Sequence, residues 1–482
     1  IALSIQAPSH AEFWASPGDT LLRDDLQLIN DTGATNLPLT AWPLSWADLH
    51  ESLAEAEFES LAPDVQAALE RVWGRLSGEL DVGFAGFDVS AGVAEAPRII
   101  RSFEDTPREE TMATLGAGWQ GERFSLHLRG TYVDDPSDGD EFRPDGTYAG
   151  LTLGNWMLSA GWQERWWGPG RDSSLILSTN ARPMPSIGIQ RNVSRQSDSK
   201  WFRWIGPWTL TSFMGLMDDD RVIEDGLLWG FRFTFRPVRG LEIGINRTAQ
   251  WCGDGRDCSL RAFLRVLNGN DNKGANVDED DEPGNQLAGF DVRWSLPRQI
   301  PLALYMQWIA EDTRRTGAQL HQWLQQVGVE YWGRAGRYTH RTHFEVSSTR
   351  ARLGALGEGS FIADNAYNHF IFETGYRYNG RTIGHGIDGD GLSWSLGTTL
   401  ADADGNTWNA SFRHMRINRI GEPDRWHSLS PTPQVRSDIQ LSHDRTLGFG
   451  RIYLGVGYQW LSDDLSGEQS EDLQAFIRWS SR

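Results

Sequence analysis

Apolar and polar residues alternate along most of this chain, in one run after another. Ile452, Leu454, Val456, Tyr458 and Trp460 share one face of an extended segment, and Arg451, Tyr453, Gly455, Gly457 and Gln459 share the other. Phe124, Leu126 and Leu128 alternate in the same way with Arg123, Ser125, His127 and Arg129. So do Leu392, Trp394 and Leu396 with Ser393, Ser395 and Gly397, and Leu473, Ala475, Ile477 and Trp479 with Gln474 and Arg478. Side chains of a strand repeat every second residue, so each run has one apolar and one polar face. The pattern predicts about eighteen such antiparallel strands, which together need a very large apolar face and a very large polar one; a transmembrane β-barrel supplies lipid outside and water inside.

The predicted strands begin near residues 82, 110, 122, 146, 155, 206, 226, 240, 286, 302, 320, 339, 370, 391, 406, 434, 449 and 472. Segment 184–192 is a further strand candidate, and including it changes the parity of everything after it. An even total keeps both chain ends on one side and favours eighteen, at about the usual size range of such barrels. Some links are very short, as at Gln120-Gly121, Gly154 and Pro237-Val-Arg-Gly240; others, 133–145, 164–205 and 252–285, are long and polar. Short turns at one end and long loops at the other are the plan of an outer-membrane barrel.

Residues 1–80 follow a different period. Leu21, Leu22, Leu26 and Ile29 have helical spacing; Ser45 can cap a second helix carrying Leu49 and Leu53; Pro63 and Asp64 open a third with Val65, Ala68, Leu69, Val72, Leu76 and Leu80 on one face. The expected organisation is a small N-terminal α-helical bundle over 1–80, acting as a periplasmic plug, and a barrel over 81–482. So short a bundle has little core of its own and is expected to pack against something larger.

Composition agrees with this plan. Only 39% of the 482 residues are hydrophobic, and mean hydropathy is -0.47. No run reaches the roughly 18 apolar residues of a membrane-spanning helix, which leaves a barrel open because its strands spend only alternate residues on lipid. The 23 Trp suit aromatic girdles and the 52 Gly suit turns and crowded lumen positions. A net charge of -20 argues against nucleic acid as a partner. Lys200 and Lys273 are the only lysines among 45 cationic residues; arginine favours bidentate pairing with carboxylate and phosphate, and an arginine-rich genome gives the same bias. Cys252 and Cys258 flank a Gly-Asp-Gly-Arg-Asp turn and are expected to form a loop disulfide in an oxidising compartment, with free thiols as the alternative. No signal-peptide pattern is visible, and the chain is expected to be the mature, exported form. Trp479 stands near the end, where barrels of this class place a terminal aromatic residue.

The densest unusual segment is 161–183. It gathers Trp162, Trp166 and Trp167 with Arg165, Arg171, Asp172, Asn180 and Arg182. Aromatic faces stack on sugar rings and polar side chains bond sugar hydroxyls, so Trp166, Trp167, Arg171, Asp172, Asn180 and Arg182 form a candidate carbohydrate site. The same tryptophans also suit an interface girdle, with Gly168-Pro169-Gly170 as a turn.

Trp166-Trp-Gly-Pro-Gly, followed by Ser174-Leu-Ile-Leu-Ser178 and Asn180-Ala-Arg-Pro183, resembles the signature of the Wzi family of capsule-assembly proteins. Further stretches resemble it too: Leu37-Pro-Leu-Thr-Ala-Trp-Pro-Leu-Ser45, Arg203-Trp-Ile-Gly-Pro-Trp208, Leu228-Trp-Gly-Phe-Arg-Phe-Thr-Phe235, Leu241-Glu-Ile-Gly244, Arg247-Thr-Ala-Gln-Trp-Cys-Gly253, Glu282-Pro-Gly-Asn-Gln-Leu-Ala-Gly289 and Ile383-Gly-His385. The resemblance implies a barrel of about eighteen strands with a helical bundle at its periplasmic end. It also implies a non-enzymatic, lectin-like role: anchoring capsular polysaccharide at the bacterial cell surface. Loops 133–145 and 252–285 are the kind expected to vary with the sugar, whose identity does not carry over.

Other chemistry is sparse. Asp278-Glu-Asp-Asp-Glu282 reads as a solvated acidic loop or a divalent-cation site. His340 and His343 have opposite parity and so face opposite sides of a strand. No Ser stands at a catalytic spacing from His385, His414, His427 or His443. No catalytic residues, metal or cofactor are expected. The expected partners are extracellular polysaccharide, outer-membrane lipid and lipopolysaccharide, with the protein a monomer. The alternative is a diffusion porin for oligosaccharides or small anions.

Overall fold

The computed structural model describes residues 13–54, 61–268, 284–296, 300–313, 320–354, 356–419 and 427–481. The acidic run 278–282 lies outside the described residues. Eighteen antiparallel strands close into one barrel. They are β1 (Gly83–Glu95), β2 (Thr111–Gln120), β3 (Phe124–Asp134), β4 (Tyr148–Leu153), β5 (Trp156–Gly161) and β6 (Ser186–Arg191). β7 (Trp208–Leu216), β8 (Leu227–Val238), β9 (Leu241–Trp251), β10 (Gly284–Ser295), β11 (Leu302–Thr313) and β12 (Leu320–Ala335) follow. The last six are β13 (Tyr338–Arg352), β14 (Leu392–Ala401), β15 (Thr407–Ile417), β16 (Gln434–Leu447), β17 (Gly450–Asp463) and β18 (Gln469–Ser480). Each strand pairs with its sequence neighbour, and β18 pairs with β1, so no edge is left open. A two-residue rung, Phe142–Arg143, extends the ladder of β3.

The alternation reads out as predicted. Leu454, Val456, Ile439, Leu441 and Ile477 are exposed on the outer wall, while Tyr453, Gln440 and Asp438 are buried inside. Links 121–123, 154–155, 239–240, 336–337 and 448–449 are tight turns at one end of the barrel. Links 96–110, 135–147 and 162–185, with the described parts of 353–391 and 418–433, are long loops at the other. At the turn end, residues 192–207 form a longer link, where the Ser194 amide donates to Asp48 at 2.8 Å.

One strand expectation is replaced by another. The run near 370 forms no barrel strand, whereas Ser186–Arg191 does, pairing with both β5 and β7. Both segments carry alternate apolar residues. Ile187 and Ile189 point outward, but Tyr367, Phe372, Tyr376 and Tyr378 turn into the loop core and are buried. Among the described residues of 353–391, Arg377–Tyr378 pairs with Arg381–Thr382 as a short hairpin, and Phe361 bridges to Arg352 of β13. Apolar alternation marks one apolar face of a segment without stating whether lipid or protein covers it.

Among the described residues the α-helices are α1 (Thr20–Asp31), α2 (Trp46–Ala54) and α3 (Pro63–Glu79), with a fourth, α4 (Leu260–Leu267), between β9 and β10. Asp19 caps α1 by accepting the Leu22 amide at 2.8 Å, and Pro63 opens α3. The first three bury Leu22, Leu26, Ile29, Leu49, Leu53, Leu69 and Val72 in one cluster with Trp42, Phe103 and Trp166. The lumen-facing Ala303 and Trp332 of the barrel wall complete that cluster. The wall therefore supplies the core that so short a helical segment lacks.

Val456 lies midway along β17 and is 56% exposed on the outer wall. Val456→Arg is expected to lower folding stability by about 2–4 kcal/mol, the cost of a cation at the bilayer midplane, measured by urea titration of vesicle-embedded protein. Unchanged stability would mean that this wall does not face lipid.

Candidate functional site

Segment 162–185 leaves the loop end and turns down into the barrel, where it meets the helices. Trp166 and Trp167 pair as a two-residue ladder with Trp42 and Ala41. The Gly168 amide donates to Thr40 O at 2.9 Å, and the Trp167 amide to Leu177 O at 2.9 Å. Gly168 has φ 135°, and a Cβ there would sit 2.6 Å from the Gln307 amide nitrogen. A Cβ at Gly170 would meet Ser173 O at 2.1 Å. The Trp-Trp-Gly-Pro-Gly run thus needs its glycines for close approach to the wall. Arg23 of α1 donates to Pro169 O at 2.8 Å and Gly170 O at 2.9 Å, with its guanidinium 4.3 Å over the Phe103 ring.

Both tryptophans are 0% exposed. Trp166 packs edge-on against Phe103 at 5.2 Å, and Trp167 against Phe213 at 5.5 Å. Neither ring offers a free face for a sugar or for an interface girdle, so both expectations are corrected for these two residues: the polar lumen needed filling, and these side chains fill it.

Arg171 stands at the centre of an ion network. It pairs with Asp24 of α1 at 2.6 Å, with Glu330 of β12, and with Gln27. Glu330 also receives Arg293 of β10 at 2.5 Å and Arg341 of β13 at 3.3 Å. Arg293 holds both oxygens of Asp31, the last residue of α1, at 2.7 and 2.8 Å. Glu345 accepts from the Arg171 amide at 2.9 Å, the Tyr305 hydroxyl at 2.9 Å and Gln326 at 2.7 Å. Burial opposes the Arg171 charge, but Asp24 and Glu330 outweigh it and hold its pKa above the usual arginine value.

Asp172 lies 3.6 Å from Arg413 of β15, and burial raises its pKa against that cation. Asn180 donates to Thr382 O at 3.1 Å and accepts the Arg101 amide at 3.3 Å, tying loop 353–391 to loop 96–110. The loops are sewn together further by Tyr367 and Tyr376 hydroxyls donating to Leu175 O at 2.6 Å and Ile176 O at 2.9 Å. The buried pair Arg377–Asp388, at 2.7 Å, braces loop 353–391 itself. His385 is fully buried, and burial pushes its pKa down to about 3, so it is neutral.

Arg182 stands apart from the other five. It leaves the packed segment and joins Asp145 at 3.0 Å, Asp138 at 2.8 Å and Asp140 at 2.8 Å in loop 135–147. Near it Arg108 bonds Glu164 at 3.0 Å. Glu164, Arg182, Thr179 and Ile383 line a small cleft of about 30 Å³. Cys252 and Cys258 are bonded, with Cα atoms 4.6 Å apart. His340 and His343 do face opposite sides, since residue 341 between them is a lumen position.

The lumen network of Asp24, Asp31, Arg293, Glu330, Arg341 and Glu345 was missed by sequence reasoning. Its signal was present: full charges at inward-parity positions of β10, β12 and β13. The second wall contact was missed too. Glu242 of β9 accepts the Leu39 and Thr40 amides at 2.9 and 2.8 Å, and Arg236 of β8 donates to Leu37 O at 2.9 Å. The Leu-Pro-Leu-Thr stretch that precedes α2 is thereby tied to the wall.

A closed barrel whose polar lumen is occupied by its own helices and inward loops is an outer-membrane β-barrel of the filled kind. Residues 85–471 match the family described as capsule assembly protein Wzi, and the chain belongs to that family. It is 30% identical over 405 residues to a Klebsiella pneumoniae protein described as an uncharacterized 55.8 kDa protein in the cps region; the match covers 83% of this chain and 77% of that one. The fold is similar, at TM-score 0.82 and 26% identity, to the solved Wzi of Escherichia coli, an outer-membrane protein involved in group 1 capsule assembly and described as a carbohydrate-binding β-barrel. That similarity covers 96% of this chain and 98% of the other.

Trp166→Ala is expected to cost about 3–5 kcal/mol, as large aromatic truncations in a closed core do. Arg171→Ala is expected to cost on the order of 3 kcal/mol by leaving buried carboxylates under-neutralised. Thermal unfolding followed by heat-modifiable gel migration measures both. Wild-type stability in either variant would remove that residue from the plug.

Proposed function

We propose that this protein is a lectin-like anchor that holds capsular polysaccharide at the bacterial cell surface during capsule assembly. Its long loops face outward and its helical bundle faces the periplasm. Membership of the capsule-assembly family carries the reading. The packed lumen favours it over a diffusion channel, because helix α1, segment 162–185 and loop 353–391 lie where solutes would pass. The role is binding rather than catalysis, and a closed barrel with a self-filled lumen works as a monomer, with lipopolysaccharide around its outer rim.

In this reading the six residues singled out in segment 161–183 divide the work. Trp166, Trp167, Arg171, Asp172 and Asn180 hold the loops from beneath. Arg182 and Glu164, which line the small cleft, meet the sugar together with their ion partners Arg108, Asp138, Asp140 and Asp145. Arginine-carboxylate clusters offer paired donors and acceptors to sugar hydroxyls, and arginine can exchange a carboxylate partner for an acidic sugar.

Purified protein is expected to be retained on immobilised capsular polysaccharide. The double variant Arg108→Ala with Arg182→Ala should lose retention several-fold while keeping its folded gel migration. Unchanged retention would take these two residues out of the site. In a planar bilayer the wild type is expected to show almost no current, and large open-channel currents would favour the porin reading instead.

A further inference from the structure

Helix α4 belongs to the loop that follows β9 at the long-loop end, yet it does not sit over the lumen. Its partners are residues of the outer wall. Phe263 packs against Trp251 at 4.8 Å and Trp229 at 5.8 Å. Val266 is fully buried in a cluster with Ala249 and Trp251, against which Met214, Leu227 and Trp229 also pack. Trp229, Trp251, Ala249 and Met214 all have the outward parity of β7, β8 and β9, opposite to lumen residues Arg232, Thr248 and Thr211. The chain therefore folds back down the outside of the barrel.

The depth of α4 follows from its C-terminal end. Arg247 donates to Leu267 O at 2.7 Å, to Val266 O, and to Gln286 at 3.1 Å. Arg247 is an outward residue whose cross-strand partners are Phe231 and Ala288. It lies four residues inside the end of β9 at Trp251. Gln286 is the cross-strand partner of Ala249, so at about 3.3 Å per residue along a tilted strand the end of α4 lies about 5 Å below the strand tip. Two features that would be unfavourable alone in a lipid-facing wall here satisfy each other. A helix C-terminus leaves carbonyls without partners, and apolar surroundings make that costly. An outward arginine in the apolar band is costly as well. The guanidinium caps the carbonyls, with the sign that the helix dipole prefers.

The face of α4 turned away from the barrel is also apolar. Leu260 is 73% exposed and Leu264 48% exposed, one helical turn apart. Arg261 beside them is exposed and can extend toward headgroup level. The disulfide Cys252–Cys258 and the Ser259 cap on the Ala262 amide hold the fold-back immediately before α4.

We propose that α4 is a membrane-embedded part of the outer wall: it lies in the boundary between headgroups and acyl chains of the leaflet at the long-loop end, with Leu260 and Leu264 in contact with lipid. The occupant of this surface is the lipid bilayer itself. The exposed face is continuous with the lipid-facing band of β7–β9, and exposed leucines flanked by an arginine are the makeup of a helix that lies in a membrane interface.

The test uses the full chain in vesicles, with Leu264→Cys carrying a thiol-reactive fluorophore; the two native cysteines are already bonded to each other. Labels at Val456→Cys, on the open outer wall, and at Gly255→Cys, in the exposed turn before the helix, are the lipid and water standards. Bromine-labelled acyl chains are expected to quench the Leu264 label nearly as well as the Val456 label, and aqueous iodide several-fold less than at Gly255. Iodide quenching equal to that at Gly255 would overturn the proposal while leaving the barrel intact, as the Val456 standard would show. Protection from both quenchers would overturn it in favour of a protein covering the helix. Leu260→Cys repeats the measurement should labelled Leu264→Cys fail to fold. Arg247→Leu is expected to raise iodide quenching at Leu264 by releasing the helix C-terminus, without loss of the folded gel form.

Discussion

Neutralising charge inside a closed wall governs this molecule. A barrel strand places every second side chain inward, and here those positions include Arg293, Glu330, Arg341 and Glu345. An open, water-filled lumen would solvate them. A filled one has to pair them, because an unpartnered charge removed from water costs several kcal/mol. Helix α1 brings Asp24 and Asp31, segment 162–185 brings Arg171, and around Glu330 these make a set of three arginines and three acids. Glu330 keeps Arg293 and Arg341 within the wall itself, and taking out either visiting element leaves that buried set with unbalanced charge. The plug and the wall are each other's condition.

That interdependence carries mechanical consequences up the barrel. Segment 162–185 touches α1 and the Leu37–Ala41 stretch at its lower part and loops 96–110 and 353–391 at its upper part. It works as a spine between the helical end and the loop end. Asn180, Tyr367 and Tyr376 then set the positions of the loops that would face a polysaccharide. A rigid, preorganised surface loses less entropy on binding a flexible polymer than a set of free loops would.

Much of the architecture was legible in the chain. The two-residue period of Ile452–Trp460 and its counterparts marked the strands, and the helical stripes of 20–80 marked the bundle. The failures are instructive because they share a cause. The run near 370 and the segment 184–192 have the same apolar alternation, and only one became a strand. The tryptophans at 166 and 167 looked like a sugar platform or a girdle, and became plug core. In each case the sequence states that a face is apolar and leaves open whether lipid, ligand or the protein's own wall will cover it. Arg182 was grouped with Arg171 by nearness in sequence; an eleven-residue separation took one to the lumen centre and the other to loop 135–147.

The sequence by itself determined the strand period, the closed antiparallel class and the family motifs, because each depends on spacing along the chain alone. Tertiary structure decided which inward charges meet, that Trp166 and Trp167 lie at 0% exposure, and that α4 turns outward to the wall. Those outcomes depend on which distant surfaces closure brings within a few ångströms, and strand tilt and register set that across the whole barrel.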